Sequence, residues 1–156
     1  MARLPDTPMQ IERGYVHPIL GGGLGDYAYR ILGEPGGLTQ FGVHLEELPP
    51  GARSSFRHWH ATEDEFVYVL AGEVTLIEDH ESLLLPGDCA AWPAAVPVGH
   101  CLENRGQVPA RYLVIGSRRR TDTIHYPDHD LITHKDGPHR RYTHADGRPR
   151  SNGDAQ

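Results

Sequence analysis

Three histidines and a glutamate are spaced so that they can meet around a divalent ion. His58-x-His60 puts two imidazoles on one side of a strand, because side chains alternate faces with a period of two. Trp59 then faces the other way, where a large ring is expected in a sheet–sheet core. Glu65 follows five residues after His60 and opens the next strand candidate, which antiparallel pairing folds back beside the histidine strand. Along it Glu65, Val67 and Val69 share one face, and Phe66, Tyr68 and Leu70 the other. A carboxylate turned into an apolar interior is costly unless paired or bound to a metal. His100 comes later, after the turn Pro86-Gly87-Asp88, with Asn104 four residues on. Two imidazoles from one strand, a third from another and a carboxylate make a complete ligand set for Fe, Mn, Ni, Co, Cu or Zn. Such a set leaves one or two positions for water or substrate.

The elements that must carry these residues read as short strands. From Thr39 onward the candidates are Gln40–Leu48, Ser54–His60, Glu65–Leu70, Val74–Glu78, Ser82–Leu85, Cys89–Trp92, His100–Asn104 and Arg111–Ser117. Turn residues separate them and no helical periodicity intervenes, which predicts an all-β barrel or sandwich. Residues 1–38 read as an irregular lead-in with one or two short strands, residues 39–117 as the barrel. Residues 118–156 read as an extended, turn-rich tail. Gly23-x-Gly25-x-x-Ala28 imitates a dinucleotide fingerprint, but Pro18 spoils the preceding strand and Gly33, Pro35, Gly36 and Gly37 stop any following helix.

These residues resemble the two motifs of the cupin superfamily. Gly51…His58-Trp59-His60-x4-Glu65-x6-Gly72 is similar to the first, and Gly87-x5-Pro93…Gly99-His100-x3-Asn104 to the second. The Gly51–His58 spacing is one residue longer than usual, and the Pro93–Gly99 turn is also longer. Both insertions sit in turns and leave the ligand spacing intact. The resemblance implies a double-stranded β-helix, a cupin jelly-roll barrel with a metal inside its mouth, and a homodimer. The tail, His125-Tyr126-Pro127-Asp128-x-Asp130-Leu131 with a later Asp146-Gly147, is similar to small single-domain bacterial cupins sometimes labelled sugar-phosphate-isomerase-like, a label that rests on fold analogy.

Composition excludes several function classes. The formal charge is −6, and residues 1–116 are net acidic, so a polyanion such as nucleic acid is a poor partner. No apolar run approaches the ~20 residues of a membrane helix, and Met1–Gln10 lacks an apolar signal core. Two cysteines, Cys89 and Cys101, fit a reducing compartment, so a cytoplasmic protein is expected. Of the 11 histidines, those in the tail are too scattered for a compact second site. Glu63 and Asp64 read as solvated turn carboxylates, Tyr68 and Trp92 as core aromatics, and Arg118-Arg119-Arg120 as a solvated strand end.

The expected function is therefore that of a metal-dependent enzyme, oxygenase-like or isomerase-like, acting on a small polar molecule that chelates the ion through oxygen. His58, His60, Glu65 and His100 hold a divalent transition metal (Fe, Mn, Ni or Zn), and Glu65 either completes the ligand set or takes a proton. Gln40 and His44, on one face of their strand, are candidate substrate contacts. A non-catalytic binding or sensing module and a sugar phosphate isomerase are the alternatives. Against the isomerase stands the lack of paired basic residues on a ligand-bearing strand face: Arg57 and Arg53 alternate away from it, while Arg111 or Arg105 could still reach the mouth.

Overall fold

The structure, a computed structural model, describes residues 3, 4 and 6–151. In chain order the strands are β1 (Gln10–Glu12), β2 (Tyr27–Ile31), β3 (Phe41–Leu48), β4 (Trp59–His60), β5 (Glu65–Ala71), β6 (Val74–Ile77), β7 (Glu81–Leu84), β8 (Cys89–Trp92), β9 (Cys101–Glu103), β10 (Ala110–Ser117), β11 (Thr121–Tyr126), β12 (Leu131–Asp136) and β13 (His139–Thr143). A short 3-10 turn at Glu34–Gly36 lies between β2 and β3, and there is no α-helix among the described residues. Three antiparallel sheets have the orders β1-β2-β3-β10-β5-β8, β13-β12-β11-β4 and β7-β6-β9. This is the all-β architecture expected from the strand spacing.

The largest sheet buries one face, as the alternation in β5 requires. Val67 and Val69 are 3% and 0% exposed, whereas Tyr68 and Leu70 are 38% and 44% exposed. Tyr68 is thus a surface residue and not the core aromatic expected of it; its parity on β5 opposes that of Glu65. The core is completed by Leu48 from β3, Tyr112 from β10, Trp92 from β8 and, across the barrel, Val74, Leu76 and Leu102. At Gly72 the chain passes from the large sheet to the small one at φ +72°, and a Cβ there would lie 2.7 Å from the Pro109 carbonyl oxygen. Only glycine satisfies both the left-handed backbone and the close approach.

Two further expectations change. The stretch Ser54–His60 is a strand only at Trp59–His60; before that it touches its neighbour through isolated bridges, Arg53 to Glu103 and His58 to His100. Trp59 does not enter the core. It stacks on His125 of β11, with ring centroids 4.0 Å apart and planes 2° from parallel.

The region read as a turn-rich tail forms β11–β13. The turn signals Tyr126-Pro127-Asp128 and Asp136-Gly137-Pro138 punctuate hairpins, and the strands between them are short and rich in Thr and His rather than aliphatic residues. β11 pairs with β4 in the register Ile124↔His60 and His125↔Trp59. Leu131, Thr133 and Thr143 are buried at 2%, 3% and 1% exposure, so this sheet packs on the rest of the molecule.

Candidate metal centre

The four residues singled out by spacing come together. His58 and His100 face one another across a two-hydrogen-bond antiparallel bridge, His58 N–H to His100 O at 3.2 Å and His100 N–H to His58 O at 2.9 Å. Their rings lie 5.4 Å apart, and the His58 and His60 rings 5.0 Å apart. Glu65, the first residue of β5, reaches in from the large sheet. Its Oε2 is 3.1 Å from His100 Nε2 and 3.7 Å from His60 Nε2. Donor atoms of His58, Glu65 and His100 all lie within 4.8 Å of one another.

The far nitrogen of each ring is committed. His58 Nδ1 donates to Phe56 O at 2.9 Å, with Ser55 Oγ at 3.2 Å, and His100 Nδ1 donates to Val98 O at 3.2 Å. His60 Nδ1 donates to Asp122 Oδ2 at 2.6 Å. Carbonyl and carboxylate acceptors carry no proton of their own, so each Nδ1 is a donor; in neutral His58 and His60 rings this leaves Nε2 a lone pair, whereas His100 Nε2 is itself hydrogen-bonded to the Glu65 carboxylate. His100 is also clamped face to face by Trp92, 3.7 Å between ring centres, and the indole Nε1–H donates to Glu78 Oε1 at 2.7 Å.

Electrostatics separate the members of the cluster. Burial pushes His58 down to about 4, so it is neutral at pH 7. Burial also opposes charge on Glu65, yet the His100 hydrogen bond and the surrounding imidazoles hold its carboxyl down to about 2. In His60 burial is outweighed by the Asp122 hydrogen bond and the charges of Glu65, Asp122 and Glu63, and its pKa rises. Asp122 is buried as well, but bonds from His60 and from Thr62 hold it at about 2.

Three cavities adjoin the cluster. One of about 210 Å³ opens at the barrel mouth between Gly42, His44, His60, Glu65, Gly116 and Arg118. An inner one of about 120 Å³ is lined by Glu46, His58, Glu65, His100, Tyr112 and Val114 among others. A cleft of about 310 Å³, walled by Tyr15, Tyr27, Arg53, Phe56 and Tyr126, ends at His58.

His44 thus lies on the mouth cavity. Gln40 does not: it precedes β3, is exposed, and its carbonyl accepts the Arg118 N–H at 3.0 Å. Arg105 and Arg111 stay on the surface, paired with Glu81 and Glu47. Glu63, expected in solvent, is tied to Lys135, the chain's only lysine, and to the Arg119 N–H. Asn104 is no ligand. Fully buried, it gives its amide protons to Leu48 O and Val108 O and takes one from Gly106 N–H, locking a turn.

Sequence reasoning gives no site role to Asp122, Glu46 and Tyr112, and reads Arg118 as part of a solvated strand end although it lines the mouth cavity. Strand parity was a usable signal for Glu46, which shares its face of β3 with His44 and Leu48. Asp122 offers less, because its strand lies in the stretch that reads as an extended tail.

A family model described as a cupin domain matches residues 44–116, a span that includes all four clustered residues. A solved structure from Silicibacter pomeroyi, described as a sugar phosphate isomerase from a cupin superfamily, is 41% identical; the match covers 93% of this chain and 94% of that one, with a TM-score of 0.85. The chain belongs to the cupin superfamily. A second cupin-like structure, from Acidithiobacillus ferrooxidans and provisionally named a sugar phosphate isomerase, is 28% identical over 88% of this chain and 83% of that one, at a TM-score of 0.77. A predicted oxalate decarboxylase from Thermotoga maritima, 20% identical over 76% of this chain and 99% of that one, shares the cupin fold at a TM-score of 0.60. No curated protein matches by sequence. Asp122 and Arg118 of this cupin lie beyond the matched domain span.

Proposed function

We propose that this cupin is a metal-dependent enzyme that moves a proton on a small polar molecule bound through two oxygens. The observation that carries the reading is the convergence of three imidazoles on one ionised carboxylate. With every Nδ1 committed, His100 Nε2 and an ionised Glu65 oxygen face each other at 3.1 Å, a contact that in the ion-free chain needs a proton on Nε2 and that a bound cation would take over in its place. His58, His60 and His100 through Nε2 and Glu65 through a carboxylate oxygen would hold a divalent Fe, Mn, Ni or Zn ion, a donor set suited to those metals. When bound, such an ion supplies Lewis-acid polarisation of a carbonyl or hydroxyl oxygen.

The proton falls to Glu46 rather than to Glu65. Glu65 is held ionised, whereas burial lifts Glu46 to about 7, despite the Tyr112 hydroxyl donating to its Oε2 at 2.9 Å. A carboxyl poised near neutral pH on the cavity wall can both give and take a proton. Tyr112, fully buried, keeps it oriented. This favours isomerase-like over oxygenase-like chemistry.

A sugar phosphate substrate is the second reading, favoured by the names of the Silicibacter and Acidithiobacillus structures. Against it, the cations near the cluster stand singly and do not converge as a set: Arg118 beside Glu34, Lys135 beside Glu63, Arg53 beside Glu103. Metal analysis after desalting comes first, with one transition metal per chain expected. Deuterium uptake from D2O into carbon positions of hydroxy acids, keto acids and phosphosugars follows. Uptake lost in Glu46→Gln at unchanged metal content supports the reading. Uptake confined to phosphosugars favours the second reading, and ligand-induced stabilisation with no uptake in any probe marks a binding module.

A further inference from the structure

At the barrel mouth Gly42 of β3, Gly116 of β10 and Glu65 of β5 are register partners in one row across the sheet, and His44, Val114 and Val67 form the next row. The two glycines leave room beside Glu65; a Cβ on Gly116 would meet only the Asp64 carbonyl, at 3.6 Å. The resulting cavity of about 210 Å³ is below the ~300–1,000 Å³ usual for drug-sized ligands, so its occupant is small.

The guanidinium of Arg118 lies over Gly42, where a Cβ would come within 3.2 Å of its Nε and Nη2. Its ion-pair partner is Glu34 of the 3-10 turn, and the two side chains are 39% and 35% exposed. Ion pairs this exposed are weak and exchangeable. Beside them His44 Nε2 is buried without a hydrogen-bond partner, with Glu34 Oε1 3.8 Å away. The other mouth carboxylates are engaged: Glu63 with Lys135 and the Arg119 N–H, Asp64 with the Ala94 N–H at 2.8 Å, and Glu65 with His100.

We propose that Arg118 exchanges Glu34 for the distal carboxylate of a small hydroxy- or keto-diacid whose other end lies at the His58, His60, Glu65 and His100 cluster, with His44 Nε2 as a second contact. This rests on the metal-centre reading and adds the substrate class to it. One planar guanidinium matches the two oxygens of a carboxylate. A phosphate dianion calls for further cations, and neither Lys135 nor Arg53 lines this cavity. Glu34 then acts as an internal competitor, so removing it and removing Arg118 have opposite effects.

The test compares two hydroxy acids on the zinc-loaded full chain by calorimetry, with zinc content measured in parallel. Malate carries the second carboxylate; α-hydroxybutyrate has a methyl group in its place. Malate should bind at least tenfold tighter. Arg118→Ala should erase that difference while zinc content and α-hydroxybutyrate affinity stay unchanged. Glu34→Gln should tighten malate several-fold. Should Arg118→Ala fail to fold, Arg118→Lys, which keeps the charge but loses the fork, should give an intermediate affinity. Equal affinities in the wild type, or a malate preference that survives in Arg118→Ala, would overturn the proposal; so would dihydroxyacetone phosphate binding more tightly than malate through Arg118. If no zinc is retained, the metal reading fails by itself. The carboxylate site is then judged on the metal-free chain, where malate must still shift the Arg118 Nε–H resonance by NMR; no shift overturns it.

Discussion

His58 and His60 stand two residues apart, face the same cavity system, and are held in opposite ways. Burial weighs on both. Behind His58 is a neutral carbonyl, Phe56 O, and the ring is driven down to about 4. Behind His60 is the carboxylate of Asp122, and its pKa rises. His100 belongs with His58: its Nδ1 also meets a backbone carbonyl, and Trp92 packs against its face. One half of the cluster is thus oriented by its own local chain, through the carbonyl two residues before each histidine. The other half is oriented by a sheet that begins some sixty residues later, at a buried acid. The acceptor behind an imidazole sets its tautomer, direction and basicity, and here that acceptor comes from two unrelated parts of the fold.

The largest way to break this asymmetry is to remove the later sheet. A chain ending before Thr121 loses β11, the pairing partner of β4, together with Asp122. Loss of the cooperative thermal transition, or precipitation, is expected; an unchanged melting temperature would show that the sheet is dispensable. Next in size are His100→Ala and His60→Ala. Either should abolish stoichiometric metal by elemental analysis, since both halves contribute donors, and Glu65→Gln should weaken it less.

Asp122→Asn sharpens the comparison. The amide preserves shape but not charge, so metal affinity should fall about 10–100-fold, with no comparable loss from a change behind His58. The acid limb of stability tests the same point. The carboxyl of Asp122 is held at about 2 against an ordinary 3.8, so its contribution is present above the ordinary value and is lost as pH falls toward 2. Its size is on the order of 2 kcal/mol. In the metal-free protein Asp122→Asn should flatten that limb in urea unfolding followed across pH. The smallest effect is expected from Trp92→Phe, which keeps a ring over His100 but drops the bond to Glu78. About 1 kcal/mol of stability should go, with metal affinity changed less than threefold.

The barrel strands and the meeting of His58, His60, Glu65 and His100 were legible because both follow from local rules. Period-two alternation assigns faces, and proline and glycine turns mark where strands fold back. Those rules also put Val67 and Val69 inside. They failed at Trp59, where alternation named the right face but not what covers it, namely His125. They failed again over β11–β13, whose inward residues include Asp122, Thr133 and Thr143 rather than an aliphatic stripe. A polar strand carries almost no sequence signature when, as for Asp122, the partner of its buried group lies far away in the chain.

What the sequence determined by itself was the donor set and its spacing: which residue types can hold an ion, and that strand geometry can bring them to one place. Tertiary structure alone decided what stands behind and beside them. Asp122 behind His60, Tyr112 on Glu46 and Glu34 on Arg118 join residues 62, 66 and 84 positions apart. The reason is physical. Alternation is a property of the local backbone, whereas the basicity of an imidazole, the protonation of a buried carboxyl and the availability of a guanidinium depend on the nearest charge and the depth of burial. Those are decided only when distant strands pack.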